Sequence, residues 1–185
     1  MLNEKQLIEG CVRQDKLAQK MLYEKYASSL LGICMRYAQD KPEAEDILQE
    51  GFLKIFLRIK QYSGEGSFEG WMKRIMVNTA ISNYRKQQKH YYQQDINDVN
   101  ESDMDVDSVE PDTAFSRNEL LKIIQDLPPG YRVVFNLFAV EGYKHKEIAE
   151  ILNIDETTSK SQFSRARKLI QKRLHEISRI KLISG

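Results

Sequence analysis

The stretch YKHKEIAEILNIDETTSKSQFSRARKLIQKRL, residues 143–174, carries two helical patterns separated by a break of three residues. In the break, Asn153 tolerates the left-handed backbone that a tight turn requires, and Asp155 can cap the helix that follows. The apolar residues on either side of the break recur at the helical period. They are Ile148, Ala149, Ile151 and Leu152 before it and Phe163, Ala166, Ile170 and Leu174 after it. The pattern predicts a helix-turn-helix.

The second helix of this motif is strongly basic on its polar side. Between residues 157 and 181 there are eight Lys or Arg residues and one acid, Glu176. Short polar side chains, which reach base edges, are interleaved with the cations. The residues expected to face duplex DNA are Thr158, Lys160, Ser161, Gln162, Arg165 and Lys168. A short helix bracing a longer cationic one is how such a motif inserts its second helix into the major groove, and we favour this interpretation over a merely solvated helical hairpin.

The distribution of charge also favours a polyanionic partner. The formal net charge of the 185 residues is only +1, but eight acidic residues and no Lys or Arg lie between Tyr91 and Ser116. The rest of the chain has 28 basic and 19 acidic residues, or about +9. Two basic regions joined by an acidic segment fit a nucleic-acid partner better than the total charge suggests.

Helical periodicity continues through the rest of the chain, and no strand pattern interrupts it. We predict helices at 17–38, 42–60 and 68–88 with a loop at 62–67, and further helices at 114–126 and 131–140. The segment around 93–112 lacks periodicity and is typical of a flexible linker. The predicted fold is therefore all-α, with a small helical domain at 1–92, a flexible acidic linker at 93–113, and a second helical domain at 114–185 that contains the helix-turn-helix.

One helix of the first domain carries a second stripe opposite its apolar side. Asp46, Gln49, Glu50 and Leu53 are spaced i, i+3, i+4 and i+7, so they share a face away from the core residues. An acidic stripe is usually only solvated. Here Leu53, and Leu57 one turn later, add exposed apolar area to it, which favours a docking surface for a partner helix.

The segment from Phe68 to His90 combines cations, aromatic residues and an amide. Between residues 73 and 89 there are five basic residues and no acid. Cations follow phosphates while aromatic rings and amides capture unstacked bases, so the segment is a candidate surface for single-stranded nucleic acid. Its candidate contact residues are Trp71, Lys73, Arg74, Asn78, Arg85 and Lys86. The alternative is that Trp71 and Tyr84 are core residues and that the cations only solubilise the helix.

The remaining chemistry-bearing residues give no enzyme signature. Cys11 and Cys34 lie in apolar helical context without metal-ligand spacing, so we expect reduced core thiols rather than a disulfide or a metal site. His90, His145 and His175 lie on polar faces without a paired carboxylate or nucleophile, and we interpret them as surface residues. No cofactor or metal is expected. The sequence has no signal peptide and no apolar run near 18 residues, which predicts a cytoplasmic protein without membrane insertion.

Taken in order, these motifs resemble the extracytoplasmic-function (ECF) subfamily of bacterial RNA polymerase sigma factors. Each motif alone is weak, but their order and separations match together over about residues 7–174. The matching segments are Asp46–Gly51, the stretch from Phe68 to Arg85 with Trp71, Arg74 and Asn78, Leu127-Pro128, and the helix-turn-helix that ends in Ser164-Arg165-Ala166-Arg167.

The resemblance implies a function and a set of partners. The helix bearing Asp46, Gln49, Glu50 and Leu53 would dock on the clamp coiled coil of the β′ subunit of core RNA polymerase. The loop at 63–68 and the helix after it would recognise and melt the promoter minus-ten element, with Asn78 near the bases. The helix-turn-helix would read the minus-thirty-five duplex beside the β flap. The acidic linker would follow the path toward the active centre, and an anti-sigma factor is implied as a further partner.

The sequence also departs from the family pattern. Asn153 stands where Gly is frequent, Ser159 where an apolar residue is usual, Gln162 where Arg is common, and Asn83 where Asp is common. The cognate minus-thirty-five sequence is therefore open. The other function considered is an ordinary transcription regulator that binds its operator unaided. That function accounts for residues 143–174 but not for the basic aromatic segment or the stripe with Leu53.

Overall fold

The computed structural model describes residues 3–91 and 115–184, and every regular element in these two ranges is helical. The residues pack into two compact units, Met1–Asn83 and Tyr84–Gly185. The predicted all-α fold is confirmed. The predicted linker at 93–113 lies outside the described residues. None of the described helices combines the length and the apolar character that a membrane span requires.

Within its described residues the first unit contains three α-helices, one 3₁₀ turn and the part of a fourth α-helix up to Asn83. Short polar side chains begin the first three helices: the side chains of Asn3, Asp15 and Asp40 each accept a hydrogen bond from a backbone N–H of the first turn. The elements are α1 (Glu4–Val12), α2 (Lys16–Tyr37), α3 (Lys41–Arg58), the 3₁₀ turn Ile59–Gln61 and α4 (Phe68–Tyr91). The bounds of α2, α3 and α4 agree with the predicted helices to within a few residues, whereas α1 was not predicted.

The core of the first unit lies between α2, α3 and α4. Leu22, Leu30, Ile55, Met72 and Met76 are almost completely buried, which agrees with the apolar stripes predicted for α2 and α3. Gly51 brings α3 and α4 close together, because a Cβ atom at this position would collide with the sulfur of Met76. The sides of α3 and α4 that point away from this contact are exposed to solvent.

The second unit contains α5 (Arg117–Gln125), α6 (Pro129–Phe135), α7 (His145–Leu152) and α8 (Glu156–Ser184). Helix α6 continues into one π-helical turn, Asn136–Val140. Helix α5 begins later than predicted because Ser116 and Glu119 form a capping box at its start. Helix α6 begins two residues earlier than predicted because Pro129 fits a first helical turn.

The predicted helix-turn-helix is confirmed as α7 and α8. Asn153 has φ 54° and ψ 52°, the left-handed conformation expected for the turn, and α8 begins directly after Asp155. Ile148 and Leu152 of α7 and Ala166 of α8 are buried between the helices. The turn therefore brings two apolar stripes together and leaves the basic side of α8 outside.

Both cysteines are free and buried, as predicted. Burial raises the pKa of the Cys11 thiol to about 11, with a smaller contribution from the nearby Asp15 carboxylate. Burial likewise raises the pKa of the Cys34 thiol to about 12. Both side chains are therefore protonated core residues at neutral pH. Within the described ranges, no group of three or more His, Cys, Asp or Glu side chains is arranged to hold a metal ion.

Candidate nucleic-acid interfaces

The basic side of α8 presents most of the residues predicted to contact duplex DNA. Lys160, Ser161, Arg165 and Lys168 are exposed, whereas Thr158 and Gln162 are half-buried. By helical spacing, Ser161, Arg165 and Lys168 share one stripe, and Lys160 lies about 100° from Ser161. Four of the six predicted residues are therefore exposed, and Thr158 and Gln162 lie at the partly buried margins of this face.

Several contacts within the second unit hold this face in place. The Lys160 ammonium lies 2.7 Å from Glu156. The Arg165 guanidinium donates a long hydrogen bond of 3.4 Å to the Tyr131 hydroxyl of α6. A Cβ atom at Gly130 would lie only 3.2 Å from the side-chain nitrogen of Gln162, so this amide packs against the first turn of α6. The side chains near the start of α8 are therefore restrained before any ligand binds.

The interpretation of His145 as a simple surface residue is wrong. Its ring is half-buried and stacks on Phe138, with centroids 4.3 Å apart and an interplanar angle of 13°. It also meets Phe163 edge to face at 5.8 Å. Its Nδ1 lies 2.9 Å from the hydroxyl oxygen of Ser159, a residue of α8 that is completely buried. Periodicity missed this site because His145 is the first residue of α7, where the helical pattern has barely begun.

The surroundings of His145 favour its neutral form. Burial of the ring lowers its pKa below the ordinary value of 6.5, and the nearby Lys160 ammonium lowers it further, while Glu156 acts in the opposite direction. Because the unfolded chain then binds a proton more readily than the folded one, stability falls as the pH drops below about 6.5.

The aromatic residues of α4 and of the loop before it form one cluster. Phe68 stacks on Trp71 with centroids 5.6 Å apart, and Tyr62 contacts both rings at 5.1 and 5.7 Å. Phe68 is buried and Trp71 is half-buried, so Trp71 serves the core as well as presenting an edge to solvent. Tyr84 is buried, which agrees with the alternative that this residue belongs to the core.

The cationic residues of α4 are divided between different sides of the helix. Arg74, Asn78 and Arg85 are exposed, and helical spacing aligns them on one stripe below Trp71. Lys73 points elsewhere, because it is rotated by about 100° from Arg74 and lies 2.9 Å from Glu69. Lys86 is exposed about 80° from Asn78 by the same spacing. Four of the six residues predicted for this site thus share a stripe.

The loop before α4 is held by its own backbone and hydroxyl groups. Gly64 and Gly66 have φ of 83° and 74°, and no other atom lies within 4 Å of where a Cβ would be at either position. The Tyr62 hydroxyl donates to the carbonyl of Gly66 at 2.8 Å, and the Ser67 hydroxyl accepts from the N–H of Gly70 at 3.0 Å. This turn leads the chain directly onto the aromatic cluster.

The predicted docking stripe lies on the outer side of α3. Asp46 and Gln49 are exposed, and the side chains of Leu53 and Leu57 are 65% and 81% exposed. Glu50 is half-buried and lies 2.7 Å from the ammonium of Lys54. Lys54 in turn donates to the hydroxyl of the buried Thr79 of α4 at 3.2 Å. No local pattern identifies Lys54, since its partner Thr79 is 25 residues away in the sequence.

Comparison with known proteins agrees with this geometry. The family Sigma-70 region 2 matches residues 22–90, which include α3 and the charged stretch of α4, and Sigma-70, region 4 matches residues 117–170, which include the helix-turn-helix. The chain is 30% identical to RNA polymerase sigma-H factor of Pseudomonas aeruginosa, over 95% of this chain and 96% of that protein. It is also 30% identical to ECF RNA polymerase sigma factor SigW of Bacillus subtilis, over 94% of this chain and 97% of that protein.

The chain belongs to the ECF sigma factors. It is an alternative sigma factor that directs promoter-specific transcription, and its relatives are transcription regulators rather than catalysts. This membership decides against a regulator that binds its operator unaided. A similar solved structure is that of the sigma factor RpoE in complex with the anti-sigma factor NepR from Bartonella quintana. It matches 84% of this chain and 96% of that chain, with a TM-score of 0.49 and 20% identity.

The state of His145 can be measured directly. We expect its imidazole protons to titrate in NMR spectra of the full chain with a midpoint below 6.5, because burial and Lys160 oppose protonation. The spectrum of His145→Gln assigns the resonance by its disappearance. A midpoint at or above 6.5 would contradict the buried position of the ring.

Proposed function

We propose that α8 reads the minus-thirty-five element of promoters as duplex DNA. The proposal rests on one observation: the stripe of α8 opposite its buried residues is exposed, cationic and interleaved with short polar groups. Ser161, Arg165 and Lys168 lie at its centre, and Thr158, Lys160 and Gln162 at its margins. Arginine and glutamine form paired hydrogen bonds with base edges, while lysine neutralises phosphates.

The minus-ten element is, in this proposal, captured by α4 and the loop before it. The exposed Arg74 and Arg85 would contact phosphates on either side of Asn78, whose amide can both donate to and accept from an unstacked base. The half-buried ring of Trp71 would support the loop rather than intercalate freely. Lys73 and Lys86, on other sides of the helix, would contact more distant phosphates.

Core RNA polymerase would be bound through the outer side of α3. The side chains of Asp46, Gln49 and Glu50 can accept hydrogen bonds and lie beside the exposed apolar side chain of Leu53, which suits a helix of the β′ clamp coiled coil. The ammonium of Lys54, which donates to Thr79, lies 2.7 Å from Glu50 and restrains its carboxylate at the edge of this face.

The remaining assignments follow from membership of the family. We propose that residues 1–92 and 114–185 act as separate promoter-binding domains and that the acidic residues 93–113 link them. The second domain would contact the β flap, an anti-sigma factor would hold the sigma factor inactive, and both events would take place in the cytoplasm. The sigma factor itself would need no metal or cofactor.

Substitutions on α8 should separate base reading from phosphate binding. We expect Arg165→Ala and Gln162→Ala to change the ranking of minus-thirty-five sequences by about fivefold or more, since one base-edge contact contributes about 1–3 kcal/mol of discrimination. Lys172→Ala, which removes an exposed cation further along α8, should lower transcription from all promoters alike. The measurement is run-off transcription by the holoenzyme from a library of minus-thirty-five variants. An unchanged ranking in Arg165→Ala and Gln162→Ala would exclude base reading by these two residues.

Loss of the Asn78 amide should slow promoter opening. We expect Asn78→Ala to reduce permanganate reactivity at the minus-ten element of duplex templates while leaving assembly with core polymerase intact. The defect should shrink on templates already mismatched across the minus-ten element, because the cost of unpairing has been removed beforehand. Equal defects on both templates would show that Asn78 does not capture a separated strand.

A change of charge on α3 should weaken polymerase binding without unfolding the chain. We expect Asp46→Lys combined with Leu53→Ala to weaken the affinity for core polymerase by at least about tenfold, because like charges and lost apolar contacts both penalise the complex. Both residues are exposed, so the melting temperature should barely change. Fluorescence anisotropy of labelled sigma factor titrated with core polymerase measures the affinity. Glu9→Lys, an exposed residue of α1, is the control for charge and should bind normally.

A further inference from the structure

A buried polar contact lies directly behind the exposed face of α8. Ser159 is completely buried although its neighbours Lys160 and Ser161 are exposed, and its hydroxyl lies 2.9 Å from Nδ1 of His145. A hydroxyl removed from water needs such a partner, since leaving it unpaired loses the hydrogen bond that it made with water. The contact therefore favours one position of α8 against α7.

The His145 ring also fixes the second turn of α8. Phe163, one helical turn after Ser159, lies in a T-shaped contact with the ring, with centroids 5.8 Å apart. The ring also stacks on Phe138 in the π-helical turn. One imidazole thus contacts two successive turns of α8 and the element that precedes α7. A helix held at two points on one side cannot rotate about its axis without breaking at least one of these contacts.

The rotation of α8 determines which atoms reach a base. Hydrogen bonds to base edges form over distances of about 2.7–3.2 Å, so a displacement of about 1 Å is enough to lose one. Ser161 and Arg165 follow Ser159 and Phe163 by two residues each, and their directions are set by the position of the buried pair.

We propose that His145 and Ser159 are a positioning pair that sets the rotation of α8 and thereby the base preference at the minus-thirty-five element. The inference rests on the proposed reading of duplex DNA by α8. Neither residue touches DNA in this arrangement. They act through the side chains that α8 presents to the DNA. An apolar pair that buried the same surface would stabilise the unit, but it would lack the directional restraint of a hydrogen bond.

Three variants of the full chain test the pair. Ser159→Ala removes the hydroxyl with little change in volume, His145→Phe keeps a ring against Phe138 and Phe163 but removes the nitrogen, and the third variant combines both substitutions. Each is assembled with core polymerase and assayed by run-off transcription on a library of minus-thirty-five variants. Circular dichroism gives the melting temperature of each protein.

Both single variants are expected to shift the relative use of minus-thirty-five sequences by about fivefold, which is about 1 kcal/mol at 1.4 kcal/mol per factor of ten. The double variant should shift it no further, because the two residues act through one hydrogen bond. A uniform loss at all promoters, or no change in ranking, would overturn the proposal, because the pair would then only stabilise the fold. Additive shifts in the double variant would also overturn it.

Arg165→Ala in the same library separates this inference from the function on which it rests. If Arg165→Ala changes the ranking and the pair variants do not, only the positioning role fails. If neither Arg165→Ala nor the pair variants change the ranking, α8 does not read the minus-thirty-five element, and the proposed function fails together with the inference.

Discussion

Burial of the apolar side of α8 against α6 and α7 is the interaction on which the second unit depends. Leu137 of the π-helical turn, Ile148 of α7 and Ala166 of α8 are completely buried. The buried Ala166 defines the side of α8 that faces inward. The left-handed Asn153 permits this packing because it reverses the chain within a few residues. Burial of the apolar side of α8 forces the opposite, cationic stripe to face solvent. Core packing, rather than the charges themselves, therefore determines where the stripe lies.

In the first unit, too, the packing of helices determines which of their sides are exposed, and here it ties two helices together. Three contacts tie α3 to α4: Gly51 against Met76, Lys54 to Thr79, and the Asn83 amide donating to Glu43 at 2.9 Å. The proposed polymerase face and the proposed minus-ten face therefore belong to a pair of directly packed helices. A partner that displaces α3 would also disturb the support of α4. Asn83, which stands where Asp is common in the family, makes this contact as a neutral donor.

Local patterns in the sequence were sufficient wherever the structure depends on neighbouring residues. The Asn153 turn, the apolar stripes and the exposed face of α8 all follow from spacings of three to eleven residues. Spacing along the sequence did not reveal contacts between side chains that are distant in the sequence. His145 is partly buried by Phe138 and Ser159, and Gln162 packs on α6. A single sequence does not indicate which distant side chain fills a given space, because many pairs satisfy the same periodicity.

The loop before α4 shows a different kind of constraint. Around Gly64 and Gly66 there is ample space for a side chain, and yet the backbone has positive φ at both positions. Alanine would fit there by volume, and the penalty of about 1–2 kcal/mol would come only from its chirality. The mirror-image residue, D-alanine, prefers positive φ and would suit the same backbone without that strain. The shape of the loop is thus selected by handedness, and among the residues that a ribosome ordinarily supplies, glycine alone is achiral.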